Sequence, residues 1–149
     1  MYGYIGIAFG DIIVGLVSQY FKSRKKAMWL FYAITVFAML LFFALPIQHA
    51  SGMYAVCALL GFGTGFWAIF VTMAAEQFGT NLRATATTTI PNMVRGSLPL
   101  MLLLFTFLQD YTPYINAAII TGIIVMTLSA IALYFMKETF ARDLDFIEE

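Results

Sequence analysis

Apolar positions run almost unbroken through five stretches of the chain, at about 2–21, 27–45, 53–75, 84–108 and 113–136. No Asp, Glu, Lys or Arg occurs between Lys26 and Glu76, and none between Asp110 and Lys137. Neither the two-residue alternation of a half-buried strand nor the narrow apolar stripe of a surface helix describes such runs. About 20 consecutive apolar residues span a bilayer as a helix. In hydrocarbon a spanning segment must satisfy its own backbone hydrogen bonds, so each run is expected to be helical. The predicted fold is an all-α integral membrane protein of five transmembrane helices, with residues 137–149 as a polar tail. The connections between spans are short, and no linker or low-complexity segment separates domains.

Composition sharpens this picture. Charged residues make up 11% of the 149 residues and hydrophobic ones 62%, against about 25% charged in soluble domains. Mean hydropathy is +0.87. Net charge is zero, so no basic excess points to nucleic acid. The single cysteine, Cys57, has no partner for an internal disulfide. The first 21 residues are too long and too glycine-rich for a signal peptide and lack its charged start.

The few cations fix an orientation. Lys22, Arg24, Lys25 and Lys26 fall in the first connection, Arg83 in the third, and Lys137 and Arg142 in the tail. The second and fourth connections hold no Lys or Arg, only His49 and Asp110. All seven loop and tail cations therefore lie on one side, which the positive-inside rule makes cytoplasmic. The N-terminus is then outside and the C-terminus inside a plasma membrane, of the bacterial inner-membrane type. Tyr54, Tyr111 and Tyr114 form the outer aromatic belt, and Tyr20, Trp29 and Tyr134 the inner one. An odd number of spans beginning at once with a helix suggests a piece of a longer chain.

Two ionisable residues lie deep within spans, Asp11 and Arg95. Each costs about 2.5–3.5 kcal/mol at the bilayer centre on insertion scales, so each needs a partner or water. Counting along the helices puts Asp11 about 15 Å and Arg95 about 17 Å from the same membrane face. This match in depth predicts an ion pair or a shared polar pocket between the first and fourth spans; such a pair either locks the packing or serves coupling and substrate. Thr85, Thr88, Asn92 and Arg95 recur every three or four residues and form one polar face, and Pro91 and Pro99 are expected to kink that span. In the third span Cys57, Gly61, Gly65, Ala68 and Thr72 form a small-residue stripe suited to close helix packing. Trp67 follows it, facing either a cavity or lipid. Gly6 and Gly10 are spaced for the same kind of packing in the first span. Glu76 and Arg83 bracket a turn at Gly79 and are expected to interact locally. His49 stands alone in a loop, and no metal-ligand spacing, phosphate loop or nucleophile–base set marks an enzyme or a cofactor site.

Several of these residues resemble a known pattern. Glu76-Gln77-Phe78-Gly79-Thr80-Asn81-Leu82-Arg83-Ala84-Thr85 resembles the signature E-x-F-P-T-x-x-R-A-T between the tenth and eleventh helices of major facilitator superfamily transporters, with Gly79 in place of proline. Asn92-Met93-Val94-Arg95-Gly96, followed by Pro99, resembles the N-x-x-R stretch of the eleventh helix in the sugar-, aromatic-acid- and sialate-type branches. Lys137-Glu138-Thr139 and Leu144-Asp145-Phe146-Ile147-Glu148-Glu149 resemble the tail after the twelfth helix. The segment from Gly15 to Lys26 resembles the basic loop after the eighth, with Ser18 or Gln19 where the family has aspartate and without its second glycine. The resemblance implies helices eight to twelve of a twelve-helix transporter that works by alternating access. It further implies a missing N-terminal half, neighbouring eighth and eleventh helices, Thr64, Trp67 and Ala68 near substrate, and a ninth and twelfth helix facing lipid.

Taken together, these features predict transport of a small organic solute, an anion or a sugar, by proton- or ion-coupled symport. Arg95 would bind a carboxylate, Asp11 would carry the coupling proton, and Asn92, Trp67 and Thr64 would line the site. Glu76, Arg83, Lys22 and Arg24 would form a cytoplasmic gate. The competing reading is a truncated, non-transporting membrane protein that serves as an assembly or regulatory partner.

Overall fold

A computed structural model describes residues 1–44 and 49–141. The described residues form seven α-helices and no strand: α1 (Tyr2–Phe21), α2 (Arg24–Ala44), α3 (Ala50–Thr64), α4 (Trp67–Glu76), α5 (Thr80–Gly96), α6 (Leu98–Gln109) and α7 (Tyr114–Phe135). By length and apolarity these make five membrane-spanning units, with α3 and α4 in one span and α5 and α6 in another. The chain is a multi-pass membrane protein. The expected end of the second span at Leu45, the loop residues 46–48, Arg142 and the tail motif 144–149 lie outside the described residues.

The glycines explain the tightest packing. α1 lies against α3 with backbone touching backbone. A Cβ added to Gly6 would collide with the Ala58 carbonyl, and one added to Gly61 with the carbonyl of Gly3. At Gly65 it would come within 2.6 Å of Gly10 Cα, and at Gly63 within 2.7 Å of Thr35 Oγ1 on α2. Gly61 and Gly65 of the small-residue stripe thus bring α1 against the third span, while Gly63, off that stripe, brings α2 against it. Beyond it, Val14, Met28, Phe31, Ile69 and Met73 form the buried core of α1, α2 and α4. α5, α6 and α7 are far less covered: among the described residues α6 buries none and α7 only Ala117 and Leu133.

Several helices begin earlier than hydropathy alone indicates. α2 starts at Arg24 rather than Ala27 because Ser23 caps it, its hydroxyl accepting the Lys26 N–H at 3.1 Å. α5 starts at Thr80, with Gly79 as its N-cap at φ −62°; the reversal needs no left-handed glycine. The left-handed residue is Lys22, φ 48°, which ends α1 and donates its N–H to Gln19 O.

Two spans each divide into two helices. Gly65 and Phe66 leave helical geometry between α3 and α4. The fourth span divides at Ser97, between α5 and α6, where the backbone stays right-handed helical at φ −77° and ψ −15°. Pro91 sits within the continuous α5, so the expected kink there is not the point of division. Pro99 is at the second position of α6, and its ring excludes a regular turn against the carbonyl of Arg95, four residues earlier.

Candidate functional site

The third-span interruption leaves the first N–H groups of α4 without intrahelical partners. Asp11 supplies one partner from α1: its Oδ1 accepts the Ala68 N–H at 3.1 Å. On the other side of this junction, Arg95 of α5 lies over the Trp67 ring, 5.3 Å from its centroid, a cation–π contact. Its Nη1 reaches Asn92 Oδ1 at 3.5 Å. Thr64 turns back on its own helix, its hydroxyl donating to the carbonyls of Leu60 and Gly61, both at 3.0 Å.

Asp11 and Arg95 are therefore not the ion pair that their common depth predicts. Each is engaged by one of two consecutive residues, Ala68 and Trp67, at the start of α4. Nor are the first and fourth spans packed neighbours, as the family resemblance implied: α1 packs on α2, α3 and α4, while α5 packs on α4 and α6. α4 stands between them. Thr85, Thr88, Asn92 and Arg95 are all exposed on α5, a polar face that the bundle leaves uncovered. Trp67 and Thr64 also border a cavity of about 480 Å³ between α2, the α3–α4 junction, α5 and α7.

A second cluster closes the basic end of the bundle, where the loop cations gather. Arg24 Nη2 pairs with Glu76 Oε1 at 3.0 Å, and Arg24 Nη1 donates to Ser18 Oγ at 3.1 Å. The other Glu76 oxygen accepts the buried Thr139 hydroxyl at 2.6 Å. Glu138 sits on the N-terminus of α2. It accepts the Arg24 N–H at 2.9 Å, the Lys25 N–H at 3.3 Å and the Ser23 hydroxyl. Partial burial pushes the Glu138 carboxyl up, but hydrogen bonds from the Ser23 hydroxyl and the Phe140, Arg24 and Lys25 N–H groups together outweigh it and hold it below the usual glutamate value. Phe140 covers the Arg24 guanidinium, 5.4 Å from its centroid. Four spans are thus tied at one end by Ser18, Arg24, Glu76 and the segment after α7.

Here too the pairing differs from the local one expected. Glu76 is joined to Arg24, 52 residues before it, while Arg83 Nη2 reaches the Phe78 carbonyl at 3.5 Å. Lys22 is exposed at the left-handed end of α1. The roles of Ser18, Ser23 and Thr139 were not apparent from sequence. A serine before a basic helix start signals a cap, but nothing local points to a partner more than a hundred residues away.

Comparison with family models, with curated proteins and with solved structures gave no match.

Proposed function

We propose that this chain is the C-terminal part of a secondary transporter of the major facilitator type, which moves a small organic anion or sugar acid by alternating access with proton or ion coupling. The observation that carries the proposal is the polar junction at the start of α4. An interrupted span lies there with a carboxylate, Asp11, on its helix start and a guanidinium, Arg95, on its first aromatic ring. Interrupted helices at membrane depth are the usual construction of substrate and coupling-ion sites in transporters. Irregular backbone is tolerated at that depth only against protein or water.

Arg95 suits a carboxylate ligand. Its contact with Asn92 is long, and an exposed guanidinium in hydrocarbon demands an anion, water or a covering protein surface. The uncovered polar face of α5 would meet the N-terminal half of the transporter across a water-filled route. The basic end is the cytoplasmic one under the positive-inside rule, which makes the Arg24–Glu76 cluster a cytoplasmic latch.

Vesicles containing the complete transporter and an internal pH dye test this reading. They are challenged with glucose and with glucuronate, a neutral sugar and its carboxylate counterpart. A pH change driven by glucuronate, and lost in Arg95→Ala, is the expected result; a response unchanged in Arg95→Ala removes Arg95 from the mechanism. An antibody to residues 141–149 gives the native mass. A band at roughly 40 kDa, scaled from five spans to twelve, supports a fragment; a band at 16.7 kDa favours the non-transporting partner.

A further inference from the structure

The cavity of about 480 Å³ beside α7 has a feature that transport of a polar solute does not use. Its walls are almost wholly apolar, with Met28, Tyr32, Trp67, Phe70, Leu133 and Met136 among them. Its size falls within the roughly 300–1,000 Å³ usual for ligand pockets. It lies within the spanning helices and has exposed lining at Trp67, Val94 and Ser129, so it opens on the outer surface of this bundle.

Its basic-end mouth is charged. Lys25 lies three and seven residues before Met28 and Tyr32, on the same face of α2. The ammonium is anchored there, donating to the carbonyls of Tyr134 at 2.6 Å and Met136 at 2.9 Å. It also lies 5.7 Å from the centroid of the Tyr134 ring. A lysine has three N–H donors, and these carbonyls take two. Lys26 follows Lys25 in the chain and Lys137 follows Met136, and both are exposed. Of the acidic groups at this end among the described residues, Glu76 is paired with Arg24 and Glu138 accepts from the helix start and Ser23; Asp143, Asp145, Glu148 and Glu149 lie outside the described residues. Among the described residues, Lys25, Lys26 and Lys137 thus bring positive charge to the basic end of an apolar slot.

We infer that this slot binds one anionic phospholipid, its acyl chain in the cavity between α2, α4 and α7 and its phosphate at Lys25. Basic pockets between membrane helices recognise anionic headgroups in this way. The inference goes beyond the transport reading and does not require it, because it rests on Lys25 and the cavity walls; Trp67 and Thr64 border both this cavity and the polar junction.

Trp67 reports on the slot directly. The chain has two tryptophans, Trp29 and Trp67, so Trp29→Phe leaves Trp67 as the sole emitter. The variant is placed in phosphatidylcholine vesicles doped with chain-brominated phosphatidylglycerol or chain-brominated phosphatidylcholine, whose bromines quench indole on contact. Half-maximal quenching is expected at a roughly fivefold lower mole fraction of the glycerol lipid, the effect of one lysine at an anionic surface. Lys25→Ala and Lys25→Gln should abolish that preference without shifting the Trp67 emission maximum. Ala132→Phe, which fills the cavity from α7, should reduce quenching by both lipids. Equal mole fractions for the two headgroups, a preference that survives in both Lys25 variants, or quenching indifferent to Ala132→Phe would each overturn the inference.

Discussion

Asp11 on the first span accepts the backbone N–H of Ala68, 57 residues later, at 3.1 Å. An acidic side chain thus caps a helix that begins in mid-membrane, the task usually done by the residue just before a helix. Phe66 occupies that local position and offers no side-chain acceptor. The carboxylate also meets the positive end of the α4 dipole.

This contact separates the structural role of Asp11 from its proposed role in coupling. Asp11→Asn keeps an acceptor and should unfold within a few tenths of a kcal/mol of the parent. Asp11→Ala should cost about 1 kcal/mol, as for other lost caps. Thermal unfolding in detergent measures both. Equal losses would show that charge, not hydrogen bonding, holds the helix start. In the complete transporter, Asp11→Asn should flatten the pH dependence of uptake; an unchanged profile would remove the proton role.

The Arg24–Glu76 pair is largely buried, with side chains 18% and 11% exposed. Removing one member leaves a poorly solvated charge, so Glu76→Ala should cost about 3 kcal/mol, the lower end of the range for buried pairs. Glu76→Gln should cost less, because it can still accept from Thr139. A double-mutant cycle with Arg24→Ala should return a coupling of about 1–2 kcal/mol. Coupling near zero would mean that Ser18, Thr139 and Phe140, rather than the ion pair, hold the two ends together.

The glycines divide into two classes that sequence spacing does not separate. Gly61→Ala drives a methyl into the Gly3 carbonyl, where backbone would have to move. It should cost at least 1–3 kcal/mol by overpacking, and Gly6→Ala should behave alike. Gly15, in the middle of α1, has nothing within 4 Å of a new Cβ. Gly15→Ala should stabilise the helix by about 0.5–1 kcal/mol. Unfolding of the three variants side by side decides the matter, and a destabilising Gly15→Ala would show that another surface packs against it.

How much of this was visible in the sequence depends on what spacing encodes. Hydropathy marks the spans because solvent, not neighbours, selects them, and the structure keeps all five. Counting residues gives the depth of Asp11 and Arg95 but not their azimuth, so equal depth does not make them an ion pair. The glycine run 61–65 announces close approach, and it is also where the helix stops; low helix propensity and tight packing share the same residues. The basic-end cluster was the least legible. Periodicity says which face a residue occupies and not which helix it meets, and Arg24, Glu76 and Thr139 come from the ends of two different spans and the tail after α7.

The tail after α7 should respond to pH through Glu138. Its folded-state carboxyl titrates below the ordinary value of 4.5, so the folded state binds fewer protons than the unfolded one near that pH. Stability from this group is therefore complete above about 4.5 and is lost as pH falls through the lower folded value. Protonation would replace an acceptor of several N–H groups by a weaker one at the start of α2. The segment Lys137–Phe140 should then loosen, and protease cleavage after Lys137 should quicken as pH drops below the usual glutamate range, read with an acid-active protease against a control peptide. Glu138→Gln should cleave faster at neutral pH and show little further change on acidification. A parent rate that stays flat across the same range would mean that Thr139, through its bond to Glu76, holds the segment without help from the Glu138 charge.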